Sequence, residues 1–77
     1  DMARVESTMI LFGKNVQRLR QAMNISQEEL AYKSGLHCTY ISMIERAKRS
    51  ISLQNAKKIA DALNVTIDYL LQNDKQE

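Results

Sequence analysis

Residues 25–52 read ISQEELAYKSGLHCTYISMIERAKRSIS and carry most of the information in this chain. The stretch contains two short helical patterns, which are separated at Ser34 and Gly35. Ser26 can cap the first pattern, and Glu29, three residues later, can complete a capping box. Gly35 can adopt the positive φ that ends a helix. The stretch therefore predicts two helices joined by a tight turn.

The second of these helices is expected at residues 38–46, with its cap at or near His37. Ile41 and Ile44 mark its inward side. At 100° per residue its outward side centres on four residues and has two more at its edges: Thr39, Ser42, Met43 and Arg46, then Cys38 and Tyr40. A tight turn before a helix with a free polar side is the pattern of a helix-turn-helix that places one helix in a DNA groove.

Three further helices are expected around this pair. The first should cover residues 8–23 and end at Asn24, because apolar residues recur at helical spacing on one face: Phe12, Val16, Leu19 and Met23. Ser52 can cap a helix over residues 52–63, and Thr66 can cap a last one that runs to about Leu71. The prediction is an all-α five-helix bundle. Residues 9–72 form the domain, between flexible ends at 1–8 and 73–77.

Size and composition narrow the possible classes. A chain of 77 residues suits one domain, and a hydrophobic fraction of 44% without proline favours an ordered helical core. The single cysteine, Cys38, excludes a disulfide framework or a zinc site built from several cysteines. The chain contains no apolar run of about 18 residues, and its first residues are too polar for a signal peptide. We expect a cytoplasmic protein with no membrane contact.

Charge is unevenly distributed along the chain. Five basic residues and no acidic one lie between Arg46 and Lys58, whereas residues 61–77 contain four acidic residues and one lysine. One region therefore suits a polyanion. We expect phosphate contacts from the caps and from the cations after the second helix of the pair: Ser26, Gln27, His37, Arg46 and Lys48. Bases would be read by the outward side: Cys38, Thr39, Tyr40, Ser42 and Met43.

Other interpretations of these residues stay open. The outward side could be an ordinary solvated surface, and Tyr40 could pack on the preceding helix with its hydroxyl in water. Lys57 and Lys58 suit an ordinary surface better than a DNA contact. His37 and Cys38 point in different directions at a helix start, so a catalytic pair is not expected, although Cys38 could be a redox-sensitive thiol.

The chain also resembles a known family over roughly residues 11–71. Arg20, SQEELA at 26–31, Gly35, YIS at 40–42, IER at 44–46 and the ending ALNVTIDYLL are similar to the five-helix domain of lambdoid phage repressors and Cro. GLHCTYISMIERAKRSISL looks more specifically like the controller proteins of restriction–modification systems. The chain departs from these families at two positions: Cys38 stands where Arg, Lys or Gln is frequent, and Ala47 where Gly is usual.

The resemblance implies a bacterial, nucleoid-associated transcriptional regulator that binds DNA as a homodimer on a pseudo-palindromic operator. It implies a structural ion pair between Arg20 and Glu45 and a base contact from Arg49. The apolar C-terminal residues would fill the core and form the dimer interface: Ile67, Tyr69, Leu70 and Leu71. No catalysis, metal, cofactor or small-molecule ligand is expected. Double-stranded DNA is the expected partner, and RNA polymerase is a further candidate. The alternatives are a Cro-like repressor, an antitoxin, or a protein-interaction module without DNA binding.

Overall fold

The computed structural model describes residues 2–73, with side chains from residue 7 onward. This part of the chain forms five helices and no strand: α1 Met2–Ala22, α2 Gln27–Ser34, α3 Cys38–Glu45, α4 Leu53–Ala62 and α5 Ile67–Leu70. The predicted all-α five-helix architecture is confirmed. None of these helices combines the length and apolar character needed to cross a bilayer.

Each of α2 to α5 begins at a residue whose side chain accepts a backbone N–H of the first turn. The four caps are the predicted ones: Ser26, His37, Ser52 and Thr66. Ser26, for example, accepts the N–H of Glu29 at 3.0 Å. These bonds satisfy amide groups that a helix start otherwise leaves without a partner. The capping pattern therefore located these helix starts to within one residue.

The first four helices end in one common motif. One or two residues beyond the end of each helix, a residue has a positive φ: Asn24, Gly35, Ala47 or Asn64. After α3 the N–H of Ala47 donates to the carbonyl of Ile44 at 3.0 Å, and that of Lys48 donates to Met43 at 2.8 Å. This pair of bonds defines a Schellman motif. Three of the four positions have Gly or Asn, which tolerate this backbone, and Ala47 is the exception.

The first helix is longer at its start than the apolar pattern predicts. It begins at Met2 and not near residue 8, because strong helix formers without Gly or Pro extend the pattern backward. Most of the segment predicted to be flexible, 1–8, therefore belongs to α1, whereas the predicted flexible tail lies outside the described residues from 74 on. The inward assignment of Met23 was wrong. Its exposed fraction is 42%, because the chain leaves the helix before Asn24.

The predicted faces of α1 to α4 supply most of the core. Its buried hydrophobic side chains, in chain order, are Phe12, Val16, Leu30, Ala31, Ile41, Ile44, Ala56, Ile59, Ala60, Leu63 and Leu70. α3 packs against α1 and α2, while α4 packs against α2 and α5. The core thus holds α3 by one side only, which leaves the other side available for a partner.

Asn15 is a buried polar residue of α1 whose side chain binds the C-terminal end of the domain. Its Nδ2 donates to the carbonyl of Leu70 at 2.8 Å and to that of Gln72 at 3.0 Å. α5 has only four residues and would be marginal alone. The side-chain amide of Asn15 therefore supplies partners for carbonyl groups at the C-terminal end of α5.

Candidate nucleic-acid interface

The side of α3 that faces away from the core matches the predicted outward side. Ile41 is fully buried and Ile44 is 3% exposed, whereas Thr39 and Arg46 are exposed. Ser42 and Met43, the other two residues of the predicted outward side, are half-buried. The N-terminal end of α3 therefore presents a polar side to its surroundings. The prediction that these residues read bases remains a prediction.

A buried ion pair fixes the position of α3. The Nε of Arg20 donates to Oε2 of Glu45 at 2.6 Å, and its Nη2 donates to Oε1 at 3.1 Å. The remaining guanidinium nitrogen donates to the carbonyl of Ile25 at 2.9 Å. Glu45 is the last residue of α3 and Arg20 lies near the end of α1. This bidentate pair holds the C-terminal end of α3 against α1 and the turn before α2.

Gln27 belongs to the same network. Its Nε2 donates to Oε1 of Glu45 at 3.0 Å, and the residue is half-buried. The phosphate contact of Gln27 remains a prediction, and one of its two amide hydrogens is already used inside the protein. The second amide hydrogen and the backbone at the start of α2 remain the possible donors there. Sequence analysis missed this bond because it joins residues 18 positions apart.

Tyr40 does not take the alternative position in which its hydroxyl lies in water, and a contact of the hydroxyl with DNA remains a prediction. Its hydroxyl oxygen accepts a hydrogen bond from Nδ2 of Asn55 at 3.1 Å, so its bond is to α4 and not to water. The ring is half-buried against the core, and the guanidinium of Arg49 lies 5.2 Å from its centroid. This distance is within the range of a cation–π contact. The three side chains therefore form a small cluster beside the outward side of α3, which we call the Tyr40 cluster.

His37 and Cys38 begin α3 with separate roles. The Nδ1 of His37 accepts the N–H of Thr39 at 3.1 Å, which makes the ring the cap of the helix. Cys38 is half-buried and packs against the core. The ring nitrogen nearest the backbone is therefore bound to an amide. Among residues 7–73, no group of three metal-binding side chains lies close enough together to hold an ion.

Basic residues follow α3 directly. Arg46, Lys48 and Arg49 are all exposed, and no acidic residue separates them. Arg46 and Lys48 line a shallow groove of about 340 Å³, which α1 closes with Met9 and Ile10. Lys57, by contrast, pairs with Asp61 one turn later on α4, at 2.6 Å. This pair supports the interpretation of Lys57 as an ordinary surface residue.

The C-terminal residues divide between the core and the surface. Leu70 is fully buried in its own chain, so its assignment to a dimer interface was wrong: α5 turns this side chain against α1 and α4. Tyr69 and Leu71 are about two-fifths exposed, at 43% and 39%. Leu71 and Ile67 line an apolar groove of about 160 Å³ together with Leu53, which is 77% exposed. Sequence analysis did not single out Leu53, which is three residues before Ala56 and lies at the edge of the apolar face of α4.

Comparison with known proteins identifies the family to which the chain belongs. The helix-turn-helix family matches residues 16–70, which is more than half of the chain. The chain belongs to the helix-turn-helix family. Within it, the chain is 51% identical over 63 residues to the control protein C.BamHI of Bacillus amyloliquefaciens, which covers 80% of this chain and 78% of the relative. The resemblance to controller proteins is therefore confirmed.

Solved structures of helix-turn-helix proteins agree with this relationship. The restriction–modification controller protein C.AhdI from Aeromonas hydrophila superposes with a TM-score of 0.79 at 39% identity, covering 83% of this chain and 97% of the other. The P22 c2 repressor, solved in complex with a synthetic operator, superposes with a TM-score of 0.76 at 28% identity and covers 82% and 96%. α2 and α3, the pair that the sequence predicts to be joined by a tight turn, lie within the matched residues.

Proposed function

We propose that this chain is a controller protein that binds a pseudo-palindromic DNA operator as a homodimer and thereby regulates transcription. One observation carries the proposal: the outward side of α3 is polar, while its inward side is buried and its end is fixed by Glu45. A rigidly held helix with a free polar side fits the major groove. The P22 c2 repressor, which has a similar fold, was solved in complex with a synthetic operator, and this supports DNA as the ligand.

The individual contacts follow from this orientation. Thr39 would lead into the groove, where it can hydrogen-bond a base edge or touch a thymine methyl group, with Ser42 and Met43 behind it. The exposed cations Arg46 and Lys48 lie beyond the C-terminal end of α3, where they would bind phosphates. Cys38 offers only a weak hydrogen-bond donor and is half-buried. Specificity would therefore rest partly on Arg49 and on the shape of the operator.

A homodimer would place two copies of α3 on successive half-sites. The half-site centres should lie about 34 Å apart, one turn of the DNA helix. The apolar groove lined by Leu53, Ile67 and Leu71 supports a partner surface at the C-terminal end of the domain. A 77-residue chain buries limited surface by itself, so that association would also add stability.

Selection of bound fragments from a random DNA pool tests the function directly. The expected product is a symmetric motif with two half-sites, and the affinity should fall steeply with salt, since each neutralised phosphate contributes a slope of about −0.9. A protein-interaction module without DNA binding would enrich no motif. Adjacent methyltransferase and endonuclease genes would distinguish a controller from a Cro-like repressor or an antitoxin.

The dimer has its own test. Leu71→Asp should yield a folded monomer in sedimentation, because a buried carboxylate in the shared surface is costly. Tyr32→Asp is the matched control, since Tyr32 is 88% exposed on α2, and this variant should remain dimeric. A dimeric Leu71→Asp variant would exclude this surface as the dimer interface.

RNA polymerase stays a candidate partner. Transcription from a purified promoter, measured with and without this protein, would test it.

A further inference from the structure

The hydrogen bond between Asn55 and Tyr40 is a feature that the function proposed above leaves unexplained. Asn55 is the third residue of α4, and its backbone N–H donates to Oγ of Ser52 at 3.1 Å. Its side chain extends from this capped helix start to the Tyr40 hydroxyl, 3.1 Å away. The Nδ2 donor is therefore attached to a well-anchored backbone. The side chain of Asn55 has no part in the cap itself.

The Tyr40 ring is restrained as well. It packs against the hydrophobic core and carries the guanidinium of Arg49 at 5.2 Å from its centroid. A ring held by the core, by a cation and by a bond to its hydroxyl loses little further freedom on binding a ligand. Preorganised groups of this kind contribute more to affinity and discrimination than mobile ones.

The direction of this hydrogen bond determines which further hydrogen bonds the Tyr40 hydroxyl can form. A tyrosine hydroxyl has one O–H donor and also accepts hydrogen bonds. Because the Tyr40 oxygen already accepts from Asn55, its hydrogen is left to donate to a further partner. Such a partner must present an acceptor: a phosphate oxygen, O6 or N7 of guanine, N7 of adenine or O4 of thymine. The amino groups of adenine and cytosine are donors and would not fit.

We propose that Asn55 is a positioning residue that makes the Tyr40 hydroxyl a dedicated hydrogen-bond donor to an acceptor atom on DNA. The inference rests on the proposed function. It assigns specificity to α4, a helix outside the two-helix motif, through a side chain that itself needs no contact with a base. Arg49 completes the cluster by covering the ring and adding a cation beside the hydroxyl's partner.

A double-mutant cycle on the full chain tests this coupling, with affinity measured by fluorescence anisotropy on a fragment that the wild type selects. Tyr40→Phe and Asn55→Ala should each weaken binding by about 3- to 10-fold, the effect of one neutral hydrogen bond. The double variant should bind no more weakly than Tyr40→Phe alone. Equal factors for Asn55→Ala in both backgrounds would overturn the proposal. Gln54→Ala, at the exposed neighbour, is the control and should leave the affinity unchanged.

Asn55→Asp tests the direction of the bond. A carboxylate only accepts, so it would take up the Tyr40 hydrogen and remove the donor from DNA. The added negative charge also repels DNA, and the same substitution in the Tyr40→Phe background measures that repulsion by itself. A larger loss in the Tyr40 background than in the Tyr40→Phe background is expected. Equal losses would overturn the assignment of the hydroxyl as a donor. Melting temperatures of all variants show whether each remains folded.

Operator variants identify the source of the acceptor. A phosphate partner makes the Tyr40→Phe loss uniform across operator sequences, whereas a base partner confines it to one base pair and abolishes it when that acceptor is replaced. A wild-type chain that selects no fragment would overturn the function and this inference together. Wild-type binding with multiplicative effects in the cycle would overturn this inference alone.

Discussion

Gly13 of α1 lies directly against the backbone of Ile44 near the end of α3. A Cβ added to Gly13 would be 2.3 Å from the carbonyl oxygen of Ile44 and 3.1 Å from that of Glu45. A side chain at this position cannot be accommodated without movement of the backbone. Glycine in the middle of a helix normally costs stability. Here it permits the close approach that sets the position of α3 relative to α1.

Gly13→Ala should therefore destabilise the protein although alanine favours helices. We expect a loss of about 1–3 kcal/mol in the free energy of unfolding, the usual cost of overpacking. Urea denaturation measures it. Gln17→Ala, on the exposed side of the same helix, is the matched control and should change stability by less than about 0.5 kcal/mol. Unchanged or increased stability of Gly13→Ala would contradict the close packing of α1 on α3.

Arg20→Ala should be the most destabilising change of a charged residue. The Glu45 side chain is 1% exposed, so that loss of its partner leaves a buried carboxylate, with an expected cost of about 3–5 kcal/mol. The pair of Lys57 and Asp61 has side chains that are 65% and 59% exposed. Lys57→Ala should therefore cost less than about 0.5 kcal/mol. Chemical denaturation measures both variants. Similar losses in the free energy of unfolding for Arg20→Ala and Lys57→Ala would contradict the expectation that the buried ion pair matters more than the exposed one.

Ala47→Gly should stabilise the protein. Ala47 has a φ of 57°, a backbone conformation that costs a residue with a Cβ about 1 kcal/mol relative to glycine. The end of α3 also lacks an apolar contact that the other three helix ends have. Lys48, which follows Ala47, is exposed, whereas the residues at the same position after α1, α2 and α4 pack against the core: Ile25, Leu36 and Val65. Thermal unfolding should show a higher midpoint for Ala47→Gly and a lower one for Ala22→Gly, whose site is helical.

Arg46→Ala and Thr39→Ala should affect DNA binding in different ways. Arg46 is exposed beyond α3, where it would bind a phosphate, so its loss should weaken binding to all sequences and reduce the salt slope by about 1. Thr39→Ala should instead change which base is preferred in the half-site. Affinities on a panel of operator variants at several salt concentrations separate the two effects. An altered base preference in Arg46→Ala would contradict its assignment to the backbone.

Local signals made the helices predictable from the sequence. Side-chain caps such as Ser26 and left-handed ends such as Asn24 act within a few residues, as does the apolar spacing that defined the inward side of α3. The start of α1 was misplaced because the apolar pattern is weak in a stretch where helix propensity alone extends the helix. Even the Arg20–Glu45 pair was anticipated only through resemblance, since the two residues are 25 positions apart.

The sequence by itself determined five helices, the tight turn at Gly35 and a polar side on α3, because each depends on interactions between near neighbours along the chain. Tertiary structure alone decided the contact of Gly13 with Ile44, the clamp of Asn15 on α5, the bond from Asn55 to Tyr40 and the burial of Leu70. Such contacts depend on how rigid helices pack in three dimensions, and packing brings together residues whose spacing along the chain carries no periodic signal.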